Sequence, residues 1–553
     1  MARVRAPQLR GDGGWIGVDG LDLDALRGKF VLLDFWTLAC VNCLRVAEEL
    51  RGLERRWADE LVVVGVHSPK FPHEHEHEAV RMAVARHRIE HPVLDDPDSE
   101  TWSQYAVRAW PTLVLVDPEG YEVDRWSGEG HAVVVSGRIE ELVRQHDARG
   151  TLRRGRLDLE ALSAGTGELA FPGKVCAAAD GRLAVADTGH DRVLVCAPDG
   201  EVLSEHGGLY QPQGVRFAAD GMLLVCETAA GRVWRIADDG ARSLLTDRLA
   251  SPWDVVEWRG HVVVAEAGRH RIWAIDAAGE AQVIAGTGGE ALFDGPALGA
   301  GLAQPSGLTV TADGELAWVD AESSALRVLD RPGGTVRTLV GQGLFDWGAR
   351  DGSRRRASMQ HPLGVAAGFV NALWVADTFN GSLRVWRGEN LWTVPVGDFD
   401  EPGGLDVLPD GRVVIADTGN HRVLVVDPIA ATATRVDVGR PGSVDVAAPV
   451  VAETLVVEAG GHLEVELDLA LDGDALDPAG GAPVRVRVEA DPPELLDGVP
   501  EWTAGALPVT VSVALADAPG ASGRVTVELR AATCGPDACR LRRTQRAYDL
   551  VLT

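Results

Sequence analysis

A repeat of about 40 residues constrains this chain more than any other feature. Its marker is a proline (Pro172, Pro212, Pro252, Pro305, Pro362, Pro402), followed by an apolar strand-like run, a turn, and a second run ending in an acid. The acids are Asp187, Glu227, Glu266, Asp320, Asp377 and Asp417, fourteen or fifteen residues after each proline. An Arg-Val-like strand completes the unit, as in Val185-Ala-Asp-Thr-Gly-His-Asp-Arg-Val193 and Ile415-Ala-Asp-Thr-Gly-Asn-His-Arg-Val423. Three of the five proline-to-proline steps are 40 residues, and the other two carry insertions around 286–303 and 341–360. One such unit of short strands cannot bury its own faces, so it must stack on its copies, and this period is that of a propeller blade. Six copies predict an all-β, six-bladed propeller over residues 151–440.

The run Gly419-Asn420-His421-Arg422-Val423 resembles the NHL repeat. That resemblance implies a protein-binding platform. The two insertions are expected to project from one rim as contact points. A propeller with a metal in its channel could be a hydrolase or lyase, and six acids invite that thought. An acid at the same place in every unit is better explained by structure, since Asp or Glu at a strand end caps the next turn.

Ahead of the repeat, Phe30–Trp36 reads as a buried strand that runs straight into a helical pattern carrying Val46, Ala47, Leu50, Leu53 and Trp57. Cys40 and Cys43 stand at the joint. A helix N-terminus offers free N–H groups and partial positive charge, which favour a thiolate at the first cysteine. The second lies one turn in, placed to attack a mixed disulfide made by the first. Further strands at 61–66 and 112–117, with helical patterns at 78–89 and 139–145, give an α/β layer structure over residues 1–150. The arginine-rich 149–156 reads as a linker.

This segment resembles the thioredoxin fold, within it the TlpA-like and DipZ-like thiol–disulfide proteins. Trp36, Cys40-Val41-Asn42-Cys43 and Trp110-Pro111-Thr112 carry the likeness. It implies that Asp34 is a buried acid managing protons for the second cysteine, and that Pro111 is the cis-proline shaping the substrate edge. Zinc binding at the CxxC would need a second ligand pair. The nearby candidates, His73, His75 and His77, alternate with glutamates in a run that reads as solvated surface. A peroxiredoxin would carry proline at position 33, where this chain has Leu33.

Residues 441–553 change texture. Runs at 462–469, 484–488, 509–515 and 525–529 alternate apolar and polar residues between Gly, Pro and Asp clusters, predicting an antiparallel β-sandwich. Near its end Cys534-Gly-Pro-Asp-Ala-Cys539 reads as a hairpin turn whose sulfurs could meet. It is either a stabilising pair or a second redox pair exchanging with Cys40/Cys43. The segment distantly resembles the immunoglobulin-like amino-terminal domain of DsbD-type proteins. Cys176, Cys196 and Cys226, alone on strand-like runs, read as small buried hydrophobes.

With 553 residues and a formal net charge of −29, the chain needs several cores and is a poor partner for nucleic acid or an anionic membrane. No apolar leader or membrane-length apolar stretch is visible, so the expected address is cytoplasmic, where close cysteine pairs are more often catalytic than structural. The domain order resembles the NHL-repeat-containing thioredoxin-like proteins. The expected function is thiol–disulfide exchange through Cys40 and Cys43, without cofactor or metal, on protein or small thiol substrates. Protein clients would dock on the propeller and a thioredoxin-type donor would supply electrons. The rival is a non-catalytic scaffold using both folds for recognition.

Overall fold

In the computed structural model, which describes residues 3–156, 167–438, 453–467, 475–476, 484–491, 493–496, 501–504, 506–534 and 539–553, the first layer is built around one strand. Its elements in chain order are β1 (Val4–Arg5), β2 (Gly14–Ile16), β3 (Phe30–Trp36), α1 (Val41–Arg56), β4 (Leu61–His67), α2 (His77–Arg86), β5 (Val93–Asp95), α3 (Glu100–Gln104), β6 (Thr112–Val116), β7 (Tyr121–Ser127) and α4 (Ala132–Arg149). All seven residues of β3 are buried, so it needs neighbours on both edges and cover on both faces. It pairs in parallel with β4 and antiparallel with β6, in the sheet order β1-β7-β6-β3-β4-β5-β2. Phe30 and Leu32 face α1 and α4, through Val46, Leu50, Ile139 and Leu142. Val31, Leu33 and Phe35 face the other way, onto Leu23, Leu26 and Tyr105.

The stretch read as a linker is only partly one. α4 runs to Arg149 and is stopped by Gly150 at φ +68, the left-handed conformation a helix C-terminus favours. Beyond it, Arg153 returns to the first layer, donating from its backbone N to the Gly28 carbonyl at 2.8 Å.

Residues 172–436 form six antiparallel sheets of four or five strands. The inner strand of each begins at or just after the repeat proline and lies against the inner strands of both neighbours, giving a ring with propeller-like order. Threonine hydroxyls tie neighbour to neighbour: Thr188 donates to the Pro212 carbonyl at 2.6 Å, Thr228 to Pro252 at 2.6 Å and Thr378 to Pro402 at 2.8 Å. The repeated acids are buried, as their structural reading requires. Asp187, Glu227, Glu266, Asp377 and Asp417 each accept from a backbone N–H in the loop entering their own sheet, at 2.7–2.9 Å. In the fourth sheet, Asp320 is likewise buried and pairs with Arg327 at 2.8 Å.

Each insertion adds a two-residue edge strand. Gly295–Pro296 extends the fourth sheet and Gly352–Ser353 the fifth. Cys176, Cys196 and Cys226 are buried, which pushes the thiols of Cys176 and Cys196 up to about 12.

The described residues from 453 onward belong to a second unit. Strands Glu453–Val457, Cys539–Leu552, Ser522–Cys534, Val484–Asp491 and Glu501–Ala504 make one sheet, and His462–Leu467 with Val509–Ala514 another. Alternate residues of both, among them Leu463, Val465, Val511, Val486, Val527 and Leu550, share one core. In the first of these sheets the long strands pair with Cys534 opposite Cys539. The side chains of those two cysteines, and residues 535–538, lie outside the described residues.

Candidate active site

α1 starts where β3 ends, and the turn between them is held from two directions. Cys40 is the N-cap residue, with extended backbone (φ −83°, ψ 101°), and its sulfur accepts from the Cys43 N–H at 3.1 Å. No acid stands in the first turn of α1, so no side chain there competes with a thiolate for the helix N-terminus. Cys40 and Cys43 are joined as a disulfide with their Cα atoms 5.3 Å apart. Cys43 is buried, and Cys40 is the more exposed of the two.

From the first layer the turn is held by Glu74, which is fully buried. One carboxylate oxygen accepts from the Thr37 hydroxyl at 2.5 Å and the Ala39 N–H at 2.8 Å; the other accepts from the Lys70 and Phe71 N–H groups at 2.7 and 2.8 Å. Sequence reasoning missed this residue by assigning the His-Glu run to solvated surface. The reading holds for His75, Glu76, His77 and Glu78, which are exposed, and fails at His73 and Glu74 for a physical reason: Pro72–His75 is a single turn wedged between two layers, with Glu74 pointing in and His73 half-buried.

Asp34 sits mid-strand in β3, opposite Gly65 on one side and Leu113 on the other. It is 2% exposed, and one carboxylate oxygen has no hydrogen-bond partner. Burial raises its carboxyl to about 7; His91 pulls it down and Glu54 pushes it up. A Cβ at Gly65, the residue paired with Asp34, would come within 3.0 Å of Val93, 3.1 Å of the Trp36 indole nitrogen and 3.4 Å of the His91 ring, so a side chain there would press on all three. Pro111 follows a cis peptide and immediately precedes Thr112, which pairs with Phe35. Its neighbour Trp110 packs on the apolar cluster that holds Cys40 and Cys43, and its ring lies tilted against that of Trp102 at 4.5 Å. The structure thus brings Cys40, Cys43 and Trp110 into one cluster at the end of β3, with Asp34 two residues inside that strand and Pro111 at the start of the strand beside it.

The second hold comes from the ring of six sheets. The residue before each repeat proline has positive φ: Phe171, Gln211, Ser251, Gln304, His361 and Glu401, between 45° and 58°. These non-glycine residues in left-handed conformation lie at the end of the ring that receives the first layer. Phe171 meets Arg86 at 5.1 Å and His361 meets Phe71 at 5.3 Å. Glu401 accepts from His73 at 2.9 Å and pairs with Arg86. Burial works against the Glu401 charge, yet Arg86 and His73 hold its carboxyl down to about 2. Gln304 accepts from the Val41 N–H and donates to the Ala39 carbonyl, both at 3.1 Å. Gln211 and Ser251 instead line a cavity of about 260 Å³ beside Val41, Leu44 and Arg45. The second insertion contributes Trp347, 5.0 Å from Phe71.

Among the described residues, one His/Asp/Glu group is close enough to hold a metal: Asp117, Glu119 and His146, with ligand atoms within 4.8 Å of one another. Arg3 already bridges its two carboxylates at 2.7 and 2.9 Å, so the group reads as an ion-pair cluster. Also among the described residues, no helix is long and apolar enough to cross a membrane.

Comparison with known proteins agrees with this architecture. Residues 28–122 match the thioredoxin-like family and residues 399–426 the NHL repeat. The chain is 38% identical over 142 residues to Protein DipZ of Mycobacterium tuberculosis, covering 25% of this chain and 20% of that one. It is 30% identical to the chloroplastic protein Suppressor of Quenching 1 of Arabidopsis thaliana, covering 73% and 44%. It is 32% identical over 514 residues to NHL repeat-containing protein 2 of Gallus gallus, covering 77% of this chain and 70% of that protein. With likeness of that extent, the chain belongs to the family of NHL repeat-containing protein 2.

Proposed function

We propose that this protein is a thiol–disulfide oxidoreductase that works through Cys40 and Cys43. One observation carries the reading: a disulfide spans the first turn of α1, with the more exposed sulfur at the N-cap and the buried one within. In the reduced chain, the Cys40 thiolate attacks a client disulfide. A Cys40–client bond forms, and the departing client sulfur takes up a proton. Cys43 then loses its proton, with Asp34 as acceptor, and attacks the Cys40 sulfur. The Cys40–Cys43 bond forms, the second client sulfur leaves, and two electrons have passed to the client. A thioredoxin-type dithiol donor would restore the pair. Pro111 would shape the edge along which the client strand lies.

Within this reading the six sheets are the blades of an NHL propeller spanning residues 151–440. The two sheets beyond 441 form a β-sandwich, the setting is cytoplasmic, and protein clients dock on the propeller. Cys534 and Cys539 are either a stabilising pair or a second redox pair.

The alternative, a non-catalytic scaffold, is favoured by the burial of Ala39 and Val41 beneath Gln304, which narrows access to the turn. Redox titration of the full chain against dithiothreitol separates the two. A reversible two-electron couple that vanishes in Cys40→Ser supports exchange. A pair that never reduces in the folded chain supports the scaffold. A Cys43→Ser variant should also accumulate mixed disulfides with clients.

A further inference from the structure

We infer that Gln304, a propeller residue, is a positioning residue for the Cys40–Cys43 couple. Its side-chain amide fixes the backbone of Cys40 in the cap conformation that sets the sulfur over the first turn of α1. This rests on the thiol–disulfide reading above and adds to it a part of the redox site supplied by the second fold.

The geometry is a two-point clasp. Cys40 is flanked by two peptide groups, one ending in the Ala39 carbonyl and the other beginning at the Val41 N–H. The Gln304 carboxamide engages both, donating to the first and accepting from the second at 3.1 Å each. A primary amide presents one donor and one acceptor side by side, so it pairs with both peptides much as a neighbouring strand would. The Cys40 φ and ψ lie between those two groups, and the clasp therefore holds them at −83° and 101°. That conformation is what lets the Cys40 sulfur accept from the Cys43 N–H.

The clasp is itself rigid. Gln304 is 2% exposed, and its φ of +58° is set by its place in the repeat, directly before Pro305. Its backbone N–H donates to the His270 ring at 3.1 Å, and its carbonyl accepts from the Ser306 hydroxyl at 2.8 Å. On the other side Glu74 holds the Ala39 N–H. Successive peptides entering α1 are thus fixed alternately by the first layer and by the propeller. Glutamine is the pre-proline residue on the turn itself; Phe171, His361 and Glu401 meet Arg86, Phe71 and His73 instead.

A thiolate is stabilised at a helix N-terminus only while it stays over the free N–H groups. Releasing the Cys40 backbone therefore weakens the reduced form, with its Cys40 thiolate, relative to the disulfide, and the couple becomes more reducing.

The test is the reduction potential of the full chain, titrated with dithiothreitol, in wild type, Gln304→Glu, Gln304→Met and Tyr210→Phe. Glutamate keeps the acceptor but cannot donate to Ala39, and it adds negative charge beside Cys40. Methionine keeps the length and loses both bonds. Both should shift the disulfide–dithiol equilibrium about tenfold toward the disulfide, which is roughly 30 mV for a two-electron couple. Tyr210→Phe removes a hydroxyl that donates to Glu48 at 2.6 Å in the same interface without touching the peptides of Cys40, so the potential should not move. Gln304 variants that fold and titrate like wild type would overturn the proposal. So would an equal shift in Tyr210→Phe, or loss of fold in both Gln304 variants, since each makes Gln304 an interface residue only. A wild-type chain that does not cycle at all overturns the exchange reading itself, a different outcome from a cycling chain indifferent to Gln304.

Discussion

The Thr418 hydroxyl donates to the Pro172 carbonyl at 2.7 Å across 246 residues of sequence. It is the same bond that Thr188 makes to Pro212, 24 residues away, within the run of the repeat. The last sheet therefore meets the first as any sheet meets its neighbour. Both hydroxyls are buried and replaceable by a methyl of the same shape, so Thr418→Val and Thr188→Val each remove one buried hydrogen bond. Each should cost about 1–3 kcal/mol, read as a lower urea midpoint. A costly Thr188→Val beside a neutral Thr418→Val would mean that the ring is not closed at this seam.

Asp34 should make stability depend on pH in a defined window. Its folded value of about 7 lies above the ordinary 3.8, so the folded state binds the proton more tightly than the unfolded chain. The associated stability is complete below pH 3.8 and is lost as pH rises to about 7, beyond which it stays lost. At about 1.4 kcal/mol per unit, the total is on the order of 4 kcal/mol. Asp34→Asn should flatten urea midpoints across this window and raise stability at pH 8. In the same variant the resolution of a Cys40 mixed disulfide by Cys43 should slow by about 100-fold, as loss of a proton acceptor does. Unchanged resolution would remove Asp34 from the chemistry.

The contact of His73 and Arg86 with Glu401 should be strongest between acid and alkaline limits. Burial works against the His73 charge, but Glu401 raises its value above 6.5, so its contribution is full below 6.5 and fades as pH climbs through the raised value. Glu401 is held down to about 2 from 4.5, so its contribution is present above 4.5 and fades as pH falls toward 2. Thermal midpoints of the full chain should therefore peak between these limits. Glu401→Gln leaves the Arg86 charge buried without its counter-ion and should cost about 3–5 kcal/mol while removing the acid limb. An unaltered acid limb in that variant would assign it to other carboxylates.

What could be read from sequence was what repeats or lies close in the chain. The CxxC turn follows its strand directly, and the prolines and acids recur at fixed offsets because each acid closes a bond inside its own unit and each proline carbonyl but two is seen to take the same bond from the threonine of the unit before it. Glu74 was hidden because its partners Thr37 and Ala39 come 37 and 35 residues earlier. An alternating His-Glu run looks the same whether it meets water or a second layer. The six pre-proline residues were hidden for the opposite reason. Their backbone is common to all six repeats, but the side chains of Phe171, Gln304, His361 and Glu401 each meet a different part of the first layer, and Gln211 and Ser251 line a cavity beside it. Gln304 reaches Val41 across 263 positions, a distance at which no local pattern carries a signal.

Glu74 yields the sharpest prediction on the turn itself. Its carboxylate accepts from Thr37, Ala39, Lys70 and Phe71, so both oxygens face donors only. Glu74→Gln keeps the shape but turns an NH2 group toward N–H groups that then have no acceptor. Replacing charged hydrogen bonds by unmatched donors should cost about 3 kcal/mol. The cost falls where Ala39 leads into Cys40, so a second effect is expected beyond stability: the Cys40–Cys43 couple should shift in potential, in the same direction as in Gln304→Met. Glu74→Asp, which keeps the acceptors on a shorter stem, should recover part of both. Chemical denaturation and dithiothreitol titration of the same samples check the two effects together. A Glu74→Gln chain that loses stability while holding its potential would confine Glu74 to packing the two layers, with no influence on the cysteines.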